Sequence, residues 1–168
     1  MVRAIRGYIA FLNTKRMAEL KEGDRAPAFS GTDQNGKTVT LDHYKGKNLV
    51  LYFYPKDDTP GCTAEACSFR DNYQSLLQHG FEIVGVSTDD EASHQKFINK
   101  FQLPFTLISD NEKTIVNDYG VWVEKNMYGK TYMGTARKTF LINADGTIKK
   151  IIDKVDTKNS SQQIMDLA

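Results

Sequence analysis

The sequence predicts an α/β protein in which a mixed central sheet is flanked by helices. Three observations carry that expectation. Two continuous apolar runs, residues 48–54 (NLVLYFY) and 81–87 (FEIVGVS), have the composition of strands covered on both faces. Stretches with apolar residues at helical spacing follow each of them. The chain then closes with a hairpin pattern and one more helix. Strands alternating with helices before a terminal hairpin argue for a layered sandwich. A length of 168 residues suits one domain with a real core, and no repeat, low-complexity segment or linker divides it.

The elements follow in order. Residues 1–17 carry Arg3, Arg6, Lys15 and Arg16, and no acid precedes Glu19. The apolar run at 7–12 is too short for a signal-peptide core, and no small-residue cleavage site follows. The stretch reads as an organelle presequence or as an upstream extension with Met17 as the natural start, and the second reading is preferred. The domain is expected over 18–168, beginning in earnest near Leu20. Residues 32–41 read as a hairpin, with Asn35-Gly36 supplying the positive φ angles of a tight turn. Residues 48–54 are the first buried strand, stopped by Pro55. Residues 62–79 read as one helix, because Ala66, Phe69, Tyr73, Leu76 and Leu77 recur at helical spacing and Gly80 ends it. Residues 81–87 are the second buried strand. Residues 90–101 form an amphipathic helix with Phe97, Ile98 and Phe101 inward. A short strand at 105–108 and a short helix at 111–119 come next. Residues 139–142 and 147–152 form a hairpin around Asn143-Ala-Asp-Gly146. Residues 160–167 make the closing helix, with Ser160 or Ser161 as its N-cap.

Composition narrows function by exclusion. A formal net charge of +1 gives no general case for a nucleic-acid partner or a membrane surface. No apolar run approaches the length of a membrane span. Two cysteines in so long a chain do not make a disulfide scaffold. Buried structural thiols, a metal pair or redox chemistry remain, with a cytoplasmic location as the default expectation.

Both cysteines fall in one motif, FYPKDDTPGCTAEACSFRD at 53–71. Cys62 follows a Pro-Gly turn and opens the helix. Unpaired N–H groups and the positive end of the macrodipole favour thiolate over thiol there, so Cys62 is placed like a nucleophile. At about 100° per residue, Ala66, Phe69, Tyr73 and Leu76 share its face, whereas Cys67 lies roughly 140° away beside Asp71, Gln74 and Gln78. One thiol is expected toward the core and the other toward water. Five residues of helix separate their Cα atoms by roughly 8.7 Å, beyond the reach of a disulfide at about 6.8 Å, so bonding them requires the first turns to unwind. Spacing alone leaves inert thiols open as a reading. Zinc wants four ligands, and His43, His79 and His94 form no pattern with the pair; each reads as a surface or strand-edge residue.

The longer string is recognisable. Pro55-Lys-Asp-Asp-Thr59-Pro-Gly-Cys62 resembles the peroxiredoxin signature, and DDTPGCTAEACSFRD resembles the bacterioferritin comigratory protein, or peroxiredoxin Q, branch, in which a second cysteine lies five residues on. GDRAPAF, GVSTDDEASHQKF and RKTFLINADGTI extend the resemblance over about residues 20–167. It implies a thioredoxin-like fold and a thiol-dependent peroxidase for hydrogen peroxide and organic hydroperoxides. It further implies that Cys62 becomes a sulfenic acid, that Cys67 resolves it as an intramolecular disulfide, and that thioredoxin or a similar dithiol reductant restores both. No cofactor or metal is implied, and a monomer is expected, because the branch is often monomeric and the sequence shows no obvious exposed apolar stripe for a partner.

The resemblance also assigns a supporting set. Thr59 offers a hydroxyl to thiolate and peroxide. Arg137 supplies a fixed charge beside Cys62 and the displaced oxygen. Pro55 shapes the loop and shields the thiolate, and Glu65 orients the arginine. Taken without the motif, the same residues read as a turn cap, a surface charge, a strand-ender and a first-turn acid. Two rival functions share the scaffold. A thioredoxin-type oxidoreductase normally carries C-x-x-C, whereas four residues separate Cys62 from Cys67. A holdase or copper carrier would use soft ligands such as Met127 and Met133, but residues 125–134 read as a loop with core-filling methionines. Tyr54, Phe69, Trp122 and Tyr128 are candidates for an apolar pocket mouth, or for core.

Overall fold

The computed structural model describes residues 19–167. The expected N-terminal extension at 1–17, and its alternative readings, lie outside the described residues.

The run NLVLYFY becomes β3 (Asn48–Phe53), and the sheet grows outward from it. On one side it pairs in parallel with β4 (Phe81–Ser87), which pairs in parallel with β5 (Thr106–Ser109). On the other side it pairs antiparallel with β8 (Lys138–Ile142), which pairs antiparallel with β9 (Ile148–Ile152). The hairpin of β1 (Ser30–Asp33) and β2 (Thr38–Thr40) joins the β5 edge antiparallel. Among the described residues the order is β2-β1-β5-β4-β3-β8-β9, a mixed seven-stranded sheet as the sequence predicts.

The continuous apolar run is explained by what covers it. Leu49, Leu51 and Phe53 face one core with Val84, Val86 and Phe140. Val50, Tyr52 and Tyr54 face the other with Ile83, Phe97 and Cys62. Alternation along a strand places successive side chains on opposite faces, so a strand buried on both must be apolar throughout. Gly85 serves the second core by its lack of a side chain. A Cβ there would lie 2.8 Å from Tyr52 Cζ.

Helices α1 (Pro60–Asp71), α2 (Tyr73–Gln78) and α3 (Glu91–Phe101) pack beside that second core, as does α5 (Ser160–Leu167); α4 (Thr114–Asp118) contributes Ile115 and Val116 to the first. Asp90 caps α3, its side chain accepting from the Ser93 N–H at 2.8 Å.

The structure corrects three local expectations. Residues 62–79 form two helices, because the chain breaks at Asn72, whose side-chain amide donates to the Ser68 carbonyl at 3.0 Å. In the first hairpin only Gly36 takes a positive φ (78°). Residues 125–134 are not a loop around core methionines but most of a second hairpin, β6 (Trp122–Met127) and β7 (Lys130–Thr135). Its turn uses Tyr128 and Gly129, both at positive φ, and it leaves Met127, Tyr128, Tyr132 and Met133 exposed. These side chains do not form one stripe, since the register puts Met133 on the opposite face from Met127 and Tyr132, and Tyr128, at the turn, forms no pocket mouth. Tyr54 and Phe69 are core residues.

Candidate active site

The site is assembled where β3 ends. Thr59 stands in extended conformation as the N-cap of α1, and Pro60 occupies the first helical position, where its missing N–H costs nothing. Cys62 therefore falls in the first turn, with a side chain 1% exposed. β8 runs antiparallel to β3, and Lys138 pairs with Phe53. Arg137, the residue before β8, is carried by that register to the end of β3 from which the loop to Cys62 departs.

The arginine bridges the two acidic partners. Nη2 donates to Cys62 Sγ at 3.2 Å, and Nη1 donates to Glu65 Oε1 at 2.8 Å. Gly61 leaves room for it, since a Cβ there would sit 3.0 Å from Nη2. Burial works to lower the Arg137 pKa, but Cys62 and Glu65 outweigh it and hold it above the ordinary arginine value. Glu65 has no exposed surface, and burial pushes its carboxyl up to about 7 against the opposing charge and hydrogen bond of Arg137. Its Oε2 and the nearby Tyr52 hydroxyl are both buried without a partner. The Tyr52 hydroxyl is held well above its usual range by burial and then by the charges of Glu65 and Cys62.

The remaining expected residues stand around this group. Thr59 Oγ donates to the Lys56 carbonyl at 2.8 Å, which closes the loop turn and leaves the hydroxyl oxygen as an acceptor. Pro55 is half-buried where the chain leaves the sheet. Cys67 lies on the same unbroken helix as Cys62 and is half-buried instead of facing water; both thiols are free. Its neighbour Ser68 meets α5, with Ser161 N–H donating to Ser68 Oγ at 3.1 Å.

Two features escape sequence reasoning. Lys125 of β6 is half-buried across Gly134, where a Cβ would lie 3.2 Å from its Cδ. Burial and then Arg137 lower its pKa, while Cys62 opposes them. The second is His94, which is fully buried and not a surface residue. Its Nδ1 lies 2.7 Å from Asp57 Oδ2. A signal existed, because His94 sits at i, i+3, i+4 and i+7 with Phe97, Ile98 and Phe101 on the stripe that faces the core. His43 and His79 are exposed.

The arrangement can do nucleophilic sulfur chemistry. A buried thiol receives a guanidinium hydrogen bond at a helix N-terminus, and a second thiol waits on the same helix.

Comparison with known proteins bears on that chemistry. Residues 22–151 match the model of the AhpC/TSA family. The chain is 43% identical to peroxiredoxin Bcp of Escherichia coli over 150 residues, covering 89% of this chain and 96% of that one. It is 47% identical to peroxiredoxin Bcp of Bacillus subtilis over 137 residues, covering 82% and 87%. A solved structure of Xanthomonas campestris bacterioferritin comigratory protein, studied for its alkyl peroxide reduction activity, superposes with a TM-score of 0.77 at 35% identity over 83% of this chain and 89% of that one.

Proposed function

The chain belongs to the AhpC/TSA family as a peroxiredoxin of the Bcp/Q kind, a thiol peroxidase with a thioredoxin-like fold, and from that premise we propose that Cys62 is its peroxidatic and Cys67 its resolving cysteine. The observation that carries the proposal is the 3.2 Å hydrogen bond from Arg137 to the sulfur of a residue 1% exposed.

The Cys62 thiolate attacks the terminal oxygen of a hydroperoxide, hydrogen peroxide or an organic one. An S–O bond forms, the O–O bond breaks, and sulfur is oxidised by two electrons. The leaving alkoxide or hydroxide takes a proton and departs as alcohol or water. Arg137 stabilises charge on both the thiolate and the departing oxygen, and Glu65 holds the guanidinium in place. Thr59 accepts a hydrogen bond from the peroxide through its free lone pairs, and Pro55 keeps water from the thiolate.

Resolution follows when α1 opens. Cys67 attacks the Cys62 sulfenic sulfur, the S–O bond breaks, and water leaves as the disulfide forms. A dithiol protein such as thioredoxin then returns both thiols by exchange. We propose this cycle for a cytoplasmic monomer with antioxidant duty. The test is a Cys62→Ser variant. It is expected to lose hydroperoxide consumption while keeping the fold. A variant that removed peroxide as fast as the parent would overturn the assignment.

A further inference from the structure

We infer that Asp57 and His94 are positioning residues for the attack of Cys62 on peroxide, a buried clasp that fixes the loop carrying Pro55 and Thr59. The inference rests on the peroxidase reading above and adds residues that reading does not use.

The geometry is that of a closed network. Asp57 stands between Pro55 and Thr59 and is 7% exposed, whereas its neighbours Lys56 and Asp58 are exposed. Its Oδ1 accepts from the Tyr54 hydroxyl at 2.6 Å, and its Oδ2 accepts from the Ser93 hydroxyl at 2.8 Å and faces His94 Nδ1 at 2.7 Å. Its own N–H donates to Asp89 Oδ2 at 2.8 Å, which also receives the Ser87 hydroxyl at 2.7 Å. His94 Nε2 lies 3.0 Å from the Ile108 carbonyl oxygen. A carbonyl only accepts, so Nε2 carries a proton. One residue of the loop is thereby tied to the end of β4, to α3 and to β5.

Such a network is poor evidence for stability. A buried ion pair is often matched or bettered by apolar packing of the same shape. What it does supply is position. The exposed Lys100–Asp58 pair next to it, at 2.8 Å, cannot do so, because exposed pairs contribute little. Among the described residues no hydrogen bond joins Asp57 or His94 to Cys62 or Arg137. Loss of the clasp should shift Pro55 and Thr59, which meet the peroxide, and leave the guanidinium–sulfur contact standing.

That separation defines the test. The full chain and its His94→Ala variant are reduced and mixed rapidly with hydrogen peroxide, and in parallel with iodoacetamide, which needs the thiolate but no peroxide pocket. His94→Ala is expected to slow the peroxide step by about tenfold to a hundredfold, the scale of a misplaced reacting geometry, with alkylation changed by less than about twofold. Asp57→Asn can still accept from Tyr54 and can donate to a neutral His94, so it should lose less than about fivefold. If circular dichroism finds His94→Ala unfolded, Tyr54→Phe serves in its place, with the peroxide step slowed severalfold and alkylation preserved. Peroxide rates equal to the parent's, or peroxide and alkylation rates falling together, would overturn the inference. A parent chain that consumes no peroxide would overturn the peroxidase reading and this inference with it.

Discussion

Arg137 divides its guanidinium between Cys62 and Glu65, and the carboxylate it holds has one oxygen bonded at 2.8 Å and the other buried without a partner. The charge available to the thiol therefore depends on the ionisation of Glu65, whose carboxyl is pushed up to about 7 by burial, against Arg137.

That carboxyl makes stability depend on pH. A folded-state pKa raised above the unfolded 4.5 means that the folded protein holds the Glu65 proton more tightly. The stability this gives is fully present below pH 4.5 and is lost as pH rises to about 7, a difference of about 3 kcal/mol. Glu65→Gln removes it. Urea denaturation across that window should find the variant gaining on the parent as pH rises, with the gap level above about 7. A gap independent of pH would contradict the burial argument.

Cys62 opposes the lowering of the Lys125 pKa, so the ammonium and the sulfur interact favourably, and Lys125 adds positive charge where the peroxide meets Cys62. Lys125→Met should slow the reaction with hydrogen peroxide about two- to fivefold at low ionic strength, the scale of a partly exposed charge pair, and the gap should close in high salt. Gly134→Ala should act in the same direction by crowding the lysine stem while keeping its charge. Stopped-flow rates at two salt concentrations decide it, and a salt-independent loss would point to packing instead.

At the seam between α1 and α5, the Ser161 N–H has the Ser68 hydroxyl as its acceptor at 3.1 Å. Ser68→Ala removes that acceptor beside Cys67 and should cost about 1 kcal/mol. If α1 must open for the disulfide to form, the closed state loses part of its hold. Disulfide formation after peroxide should then quicken severalfold. Rapid-quench measurement finding an unchanged or slower step would mean that this seam does not restrain the opening.

Much of this architecture could be read in the residues. The double-faced strands, the Asn143–Gly146 turn and the helix opened by Pro60 and Cys62 each follow from local chemistry. Arg137 and Glu65 stand 72 positions apart, and only the antiparallel register of β3 and β8 brings them together. The motif resemblance named both residues; the spacing could not. The hairpin at 125–134 is hidden in the sequence because its turn, Tyr128 and Gly129, lacks the Asn-Gly signature and its methionines have the composition of core. The break at Asn72 was hidden by apolar spacing that continues through it, with Phe69 and Leu76 both fully buried. His94 is buried because its position on the core-facing stripe of α3 and its bond to Asp57 outweigh the polarity of its ring.

In the proposed cycle Cys62 and Cys67 form a peroxide-driven disulfide that an intact α1 does not permit. Intact mass after reduction, removal of the reductant and one equivalent of hydrogen peroxide tests it most directly. A rapid loss of about two hydrogens is expected, located by peptide mapping between Cys62 and Cys67, with the amides of α1 becoming exchangeable as the bond forms. An unchanged mass over minutes in a folded protein would contradict it, as would a stable sulfenic acid on Cys62 that never passes to Cys67.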